Sequence, residues 1–223
     1  MTDPELHPLA VRLGQLSERT ARQVLDLLDQ LAAGLIRLDQ LPELVAVLVK
    51  LGGDQAAALA VSELVRELAA AAPGARLPSV TGITGHVQAA AVEQAVTTIM
   101  AGAEHTRRGR LDQLARGAVS RAGQTARADA LRSSPLVEGW VRGLDSTACQ
   151  LCVWWWREGR VWPKSHHMPR HPGCTCVQVP RLVRDLAGVS RQAQDDSAER
   201  RELDRTGDYL AAFGTDRRHN RER

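Results

Sequence analysis

The stretch CQLCVWWWREGRVWPKSHHMPRHPGCTC, residues 149–176, holds all four cysteines of the chain, three of its seven histidines and four of its five tryptophans. The fifth tryptophan, Trp140, lies just upstream. Aromatic residues make up only 3% of the chain, so this concentration marks a small substructure with its own chemistry. The spacing is C-x2-C-x18-H-x2-C-x-C, with Cys149 and Cys152 as one group and His171, Cys174 and Cys176 as the other. A tight Cys-x-x-Cys turn aims two thiolates at one ion, and a second group some eighteen residues on closes a tetrahedron. An ion held this way clamps a segment too small to bury much core.

Five donors compete for four positions. Four cysteines are one solution; Cys149, Cys152 and His171 with Cys174 or Cys176 are the other. In an extended strand, side chains at i and i+2 point the same way but sit about 7 Å apart, which favours the set with His171. The expected ion is zinc in a structural role, and the competing reading is a set of thiols or disulfides without metal. A catalytic metal is disfavoured. The zinc deaminase pattern needs His-x-Glu, a helical His-Glu-x-x-His is absent, and the only Asn, which an HNH-type nuclease would need, is Asn220. His166 and His167 read as loop histidines.

Trp154, Trp155 and Trp156 cannot all face one side. Read as a strand, Trp154 and Trp156 share a face and Trp155 takes the other. One face packs on the knuckle, and the other meets either the helical part or a partner. Together with Trp162 these are the expected partner-binding residues, since an exposed Trp is a strong interface anchor.

Outward from the knuckle the character changes. Residues 1 to about 132 contain no aromatic residue and are rich in Ala, Leu, Gln, Glu and Arg, which are strong helix formers. Leu25, Leu28, Leu31, Ala32 and Leu35 follow helical spacing, with Ser17 as the opening residue. Gly52-Gly53-Asp54 reads as stop, turn and cap before a second helix over 55–72. Pro73-Gly74 ends that helix, and 77–87 reads as a loop. Helices are expected over about 88–101 and 104–131. Val and Trp at short spacing in LVEGWVRGLD and GRVWPK predict brief strands, and VQVP (177–180) predicts the returning strand. Short helices and a polar tail follow Pro180.

The fold expected is mainly α: a helical N-terminal region, a small C-terminal β-hairpin Cys/His knuckle, then short helices. The regions are 1–76, 77–132 with the basic long helix, 133–180 with the knuckle, and 181–223.

The formal net charge is only +3, so no global field marks a nucleic-acid binder. It is unevenly spread: net −4 over 1–102 against net +4 over 103–132. Arg107, Arg108, Arg110 and Arg116 are therefore the candidate contacts to DNA phosphates or to an acidic protein partner, against the plain reading of a solvated helix face. No aromatic residue interleaves with them, which argues against base stacking. Lys50 and Lys164 are the only lysines among 29 basic residues, a skew expected of a GC-rich genome. The N-terminus MTDPELHPLAVRLGQ lacks the apolar run of a signal peptide. LPELVAVLVKLGG, from Leu41, reads as too short and too charged to span a bilayer. A cytoplasmic protein without membrane contact is expected, in which thiols stay reduced.

The order Arg-x-x-Asp-x3-Cys-x-x-Cys, a Gly-containing hairpin, then His-Pro-x-Cys-x-Cys and Val-x-Pro resembles the C-terminal part of the Mu F-like phage head morphogenesis family. These are minor capsid proteins that accompany the portal. The resemblance is carried by Arg142, Asp145, Cys149, Cys152, Gly159, His171, Pro172, Cys174, Cys176 and Pro180, and covers about 40 of the 223 residues. The triple Trp departs from the family pattern. The resemblance implies a minor head protein of a tailed bacteriophage, located in the virion and in the host cytoplasm during assembly. It implies binding to portal protein and to capsid or scaffold proteins, with packaged DNA as a further contact, and no enzymatic activity. The rival readings are a zinc-dependent DNA-binding module and a metal-dependent hydrolase or nuclease.

Overall fold

Four helices carry most of the described residues: α1 (Pro8–Ala32), α2 (Leu41–Ala71), α3 (Ala89–Ala101) and α4 (Glu104–Ser133). The structure is a computed structural model that describes residues 6–73, 87–146 and 148–182. Most of the loop expected over 77–87 and the helices expected after Pro180 lie outside the described residues. The chain divides into a unit Met1–Arg181, described here, and a unit Leu182–Arg223.

α1 opens nine residues before Ser17. His7 is its N-cap, with Nδ1 accepting from the Leu9 amide at 3.3 Å, and Pro8 supplies a preset φ in the first turn. Ser17 is an interior residue on the buried face, its hydroxyl donating to the Gly14 carbonyl. The sequence signal was misleading because Ser is acceptable inside a helix when its hydroxyl bonds back to the preceding turn.

α2 corrects a second expectation. It runs through Gly52-Gly53-Asp54 without a break. The two glycines are buried and serve packing rather than termination. A Cβ on Gly52 would lie 2.5 Å from Thr20 Oγ1 and 3.0 Å from Val119 Cγ2. α2 therefore crosses α1 and α4 too closely for any side chain at that point. The unbroken helix is also long and apolar enough to cross a membrane by length and composition, contrary to the reading of its first half alone. Half of that apolar window is buried against the rest of the protein, as befits a central core helix.

Two clusters of buried residues hold the helices together. Val24 of α1, Val45 and Val49 of α2, Val96 of α3 and Leu111 of α4 form one. Leu9 and Leu13, Ala56 and Ala60, Val119 and Val177 form the other. Each fully buried Leu or Val contributes about 1.5–3 kcal/mol, and Ala and Gly at the crossings let the helices approach.

After α4 the chain enters a three-stranded antiparallel sheet of order β2-β1-β3: β1 (Val137–Gly143), β2 (Trp162–Pro163) and β3 (Val177–Leu182). β1 pairs with β2 through Gly139 opposite Pro163 and Trp140 opposite Trp162. The expected strands and returning strand are all present. The fold is thus mainly helical with a small C-terminal sheet carrying the Cys/His cluster.

Candidate metal centre

Two local turns bring the sulfur and imidazole donors together. Cys149 is the N-cap of a short helix, α5 (Gln150–Trp156), with its carbonyl accepting from Val153 N at 3.1 Å. Cys152 lies in the first turn of α5, so Cys-x-x-Cys places both sulfurs on one side. On the other arm, Cys174 N donates to the His171 carbonyl at 3.1 Å, closing a turn through Pro172 and Gly173. Gly173 has φ 78°, a conformation that Gly supplies cheaply, and Pro presets the residue before it. This explains the His-Pro-Gly-Cys wording of the motif.

The resulting contacts are short. His171 Nε2 lies 3.2 Å from Cys149 Sγ and 3.0 Å from Cys152 Sγ, and Cys152 Sγ lies 3.6 Å from Cys174 Sγ. Around a tetrahedral zinc with bonds near 2.3 Å to sulfur and 2.0 Å to nitrogen, the edges would be about 3.8 Å and about 3.5 Å. These three separations are already near those edges. His171 Nδ1 lies 2.9 Å from the Pro172 carbonyl; an N–H there donates to it and leaves the Nε2 lone pair for the ion. Cys152, Cys174 and Cys176 form a second triad, all buried, overlapping the first at Cys152. This Cys/His cluster can hold a metal ion. All four cysteines are free thiols.

Two buried charged residues flank the cluster from the end of the sheet. Arg142 Nη1 lies 4.0 Å from Cys152 Sγ and 3.9 Å from Cys174 Sγ, while Nη2 donates to the Pro169 carbonyl. Asp145 accepts from the Thr175 hydroxyl and, at 3.4 Å, from the Thr175 amide, and its Oδ2 lies 4.0 Å from Cys176 Sγ. The Arg-x-x-Asp pair thus has a geometric meaning: a cation against two ligand sulfurs and a carboxylate that braces the Cys-x-Cys arm.

Proton affinities in the trio are strongly unequal. Hydrogen bonds from Cys152 and Cys176, helped by the Arg142 charge, hold the Cys174 thiol far below its ordinary range. Its contact with Cys174 pushes Cys152 up. For Cys176 the contact with Cys152 pulls down, but the contact with Cys174 and burial outweigh it, giving about 11. One thiolate thus forms readily, and a cation is the natural means of forming the others.

The helical body holds this arm from behind. Gln124 Nε2 donates to the carbonyls of Cys174 and Cys176 at 2.8 and 2.9 Å. Arg127, 1% exposed, donates from Nε to the Gln178 carbonyl at 2.6 Å, from Nη1 to the Ala60 carbonyl at 3.2 Å, and from Nη2 to Glu67 at 2.5 Å. Residues 174, 176 and 178 alternate along the returning chain, so α4 side chains cover one edge of it. Sequence reading missed both residues. The available signal was a polar stripe, Ser120, Gln124 and Arg127, on the otherwise apolar face of α4 with Val119, Ala126 and Ala130.

The tryptophans occupy a helix, not a strand. The turn that converges Cys149 and Cys152 continues through them, so successive rings rotate by about 100°. Trp155 stacks on His171 at 6.3 Å, with the Arg142 guanidinium 5.2 Å from its centroid. Trp156 packs against the cysteine cluster. Trp154 is 58% exposed, with Arg157 over its ring at 4.8 Å. Trp162 stacks on His166 at 4.4 Å and on Trp140 at 6.1 Å, and Arg160 lies over it at 4.5 Å. Of the four, Trp154 presents the most surface.

The basic helix is partly neutralised. Arg108 forks onto Asp29, and Arg116 onto Asp112. Arg107 donates to the Gly102 carbonyl, while Arg110 is exposed.

Compared with protein-family models, curated proteins and solved structures, the chain matches none of them.

Proposed function

We propose that the chain is a structural assembly protein whose knuckle is clamped by one zinc ion, and that it serves as a minor head protein of a tailed bacteriophage. The observation that supports the clamp is the pair of donor triads, Cys149, Cys152 and His171 with Cys152, Cys174 and Cys176, joined at Cys152 through contacts of 3.2, 3.0 and 3.6 Å. Three soft sulfurs and one imidazole suit a closed tetrahedral site, and such a site stabilises a fold. Cys174 or Cys176 supplies the fourth ligand, since both lie in one buried triad with Cys152. Bound zinc would fix α5 to the returning arm. Thiolates committed to an ion are not nucleophiles, which favours a structural over a catalytic role.

The head-protein part rests on the order of residues from Arg142 to Pro180, which resembles the Mu F-like family. The expected partners are portal and capsid or scaffold proteins in the virion and the host cytoplasm, with Trp154 as the anchor available to them. Elemental analysis with thiol counting tests the clamp: one zinc per chain is expected, and a metal-free protein with four reactive thiols overturns it. Co-purification with a portal protein co-expressed with it tests the partner. Loss of that association in Trp154→Ala, with metal retained, is the expected result.

A further inference from the structure

A cavity of about 400 Å³ lies between α3 and α4, outside the Cys/His cluster. Its lining is mostly apolar, including Val92, Leu114 and Ala118, and its polar members are Gln88, Arg121 and Thr125. A concave apolar lining with a few convergent polar groups is the usual form of a small-ligand site. Arg121 and Thr125 are one helical turn apart on α4 and line the same space.

A second guanidinium, from the knuckle, lies behind the lining and touches it at Thr125. Arg170 Nη1 donates to Thr125 Oγ1 at 3.3 Å. Arg170 is half-buried, and Arg121 is among the charges that bear on it. Among the described residues neither arginine has a carboxylate partner, whereas Arg12, Arg108, Arg116, Arg127 and Arg132 each have one. Cys174 is the anionic group nearest in effect to Arg170, but its sulfur already faces Arg142 at 3.9 Å. Two like charges near one hydroxyl and an apolar hollow, with no carboxylate partner among the described residues, form an arrangement that an anion would relieve.

We propose that the α3–α4 cavity binds a small oxyanion carried on an apolar group, such as a carboxylate or phosphate monoester on an alkyl chain or ring. Arg121 and Arg170 hold the oxyanion, Thr125 and Gln88 supply further polar contacts, and Val92, Leu114 and Ala118 pack the apolar part. This site depends neither on the identity of the metal nor on the head-protein reading.

The test uses the full chain and three probes: octyl phosphate, octanol and inorganic phosphate, followed by calorimetric titration. Octyl phosphate should bind more tightly than either of the others, since it alone uses both halves of the site. Arg121→Gln, on the exposed side of α4, should weaken octyl phosphate about tenfold or more, the scale of a lost charge-assisted contact, and leave octanol unaffected. Melting temperature and metal content, measured on the same samples, separate this from damage to the fold or the cluster. If Arg121→Gln does not fold, Ala118→Met, which narrows the cavity without touching a charge, should abolish octyl phosphate binding. No binding of octyl phosphate, equal affinity for octanol, or an unchanged affinity in both variants overturns the proposal.

Discussion

The side-chain amide of Gln124 donates to two carbonyls at once, those of Cys174 and Cys176, at 2.8 and 2.9 Å. One residue of the helical body therefore fixes the backbone on either side of Thr175. Gln124→Leu leaves both buried carbonyls without that donor and should cost about 2–6 kcal/mol, from about 1–3 kcal/mol for each group left unsatisfied. Chemical denaturation of the metal-loaded protein measures it. A change below about 0.5 kcal/mol would mean the arm is held by other contacts.

Arg127 should be harder to replace than its single charge suggests. Its guanidinium serves two carbonyls and Glu67 in different directions. Arg127→Met leaves those acceptors unpaired and should destabilise by about 3–5 kcal/mol. Arg127→Lys should recover less than half of that, because an ammonium cannot reproduce the fork.

The two triads share Cys152, so metal content divides the cysteines. Cys152→Ser should release the ion under either ligand set. Cys176→Ser should keep one zinc per chain if the set is Cys149, Cys152, His171 and Cys174. A Cys176→Ser protein without metal, still folded, would move Cys176 into the ligand set.

His7 gives a dependence on pH. Burial, then the charges of Arg127 and Arg12, lower its pKa from 6.5 to about 4. The unfolded chain then binds the extra proton first, so stability is complete above about pH 6.5 and declines as the pH falls toward 4. The loss should be about 2 kcal/mol after allowance for partial exposure and for Glu67 at 3.6 Å, which favours the protonated form. His7→Asn keeps an N-cap acceptor and should flatten the stability profile between pH 4 and 6.5. An unchanged slope would place the titration elsewhere.

Gly52→Ala tests the helix crossing. Its new methyl would meet Thr20 Oγ1 at 2.5 Å, and an overpacked core of this kind costs about 1–3 kcal/mol. In an exposed turn the same change would be neutral or stabilising. Thr20→Ala in the same chain should restore part of the loss by removing the hydroxyl that is struck.

The knuckle was legible because its chemistry is written in residue identity. Cysteines and His171 at fixed offsets give the cluster directly, and Val-rich runs give the strands. Glycine pairs and triple tryptophans are ambiguous because their meaning depends on what lies across from them. Gly52 reads as a stop until Thr20 and Val119 are seen against it. Trp154, Trp155 and Trp156 read as a strand until the turn at Cys149 sets a helical phase. Gln124 and Arg127 were hidden for the converse reason: a polar residue on an apolar helix face has a purpose only once the carbonyls it serves are in place.

β3 lies beside β1 on one side, and on the other α4 reaches the returning chain through Gln124 and Arg127. Tension drawn along that strand from its C-terminal end would load both flanks in shear. The bonds on the two sides would have to fail together rather than unzip one after another. The C-terminal end of β3 is thus held in a mechanical clamp. Force applied there should release the strand at a single high rupture force rather than in steps.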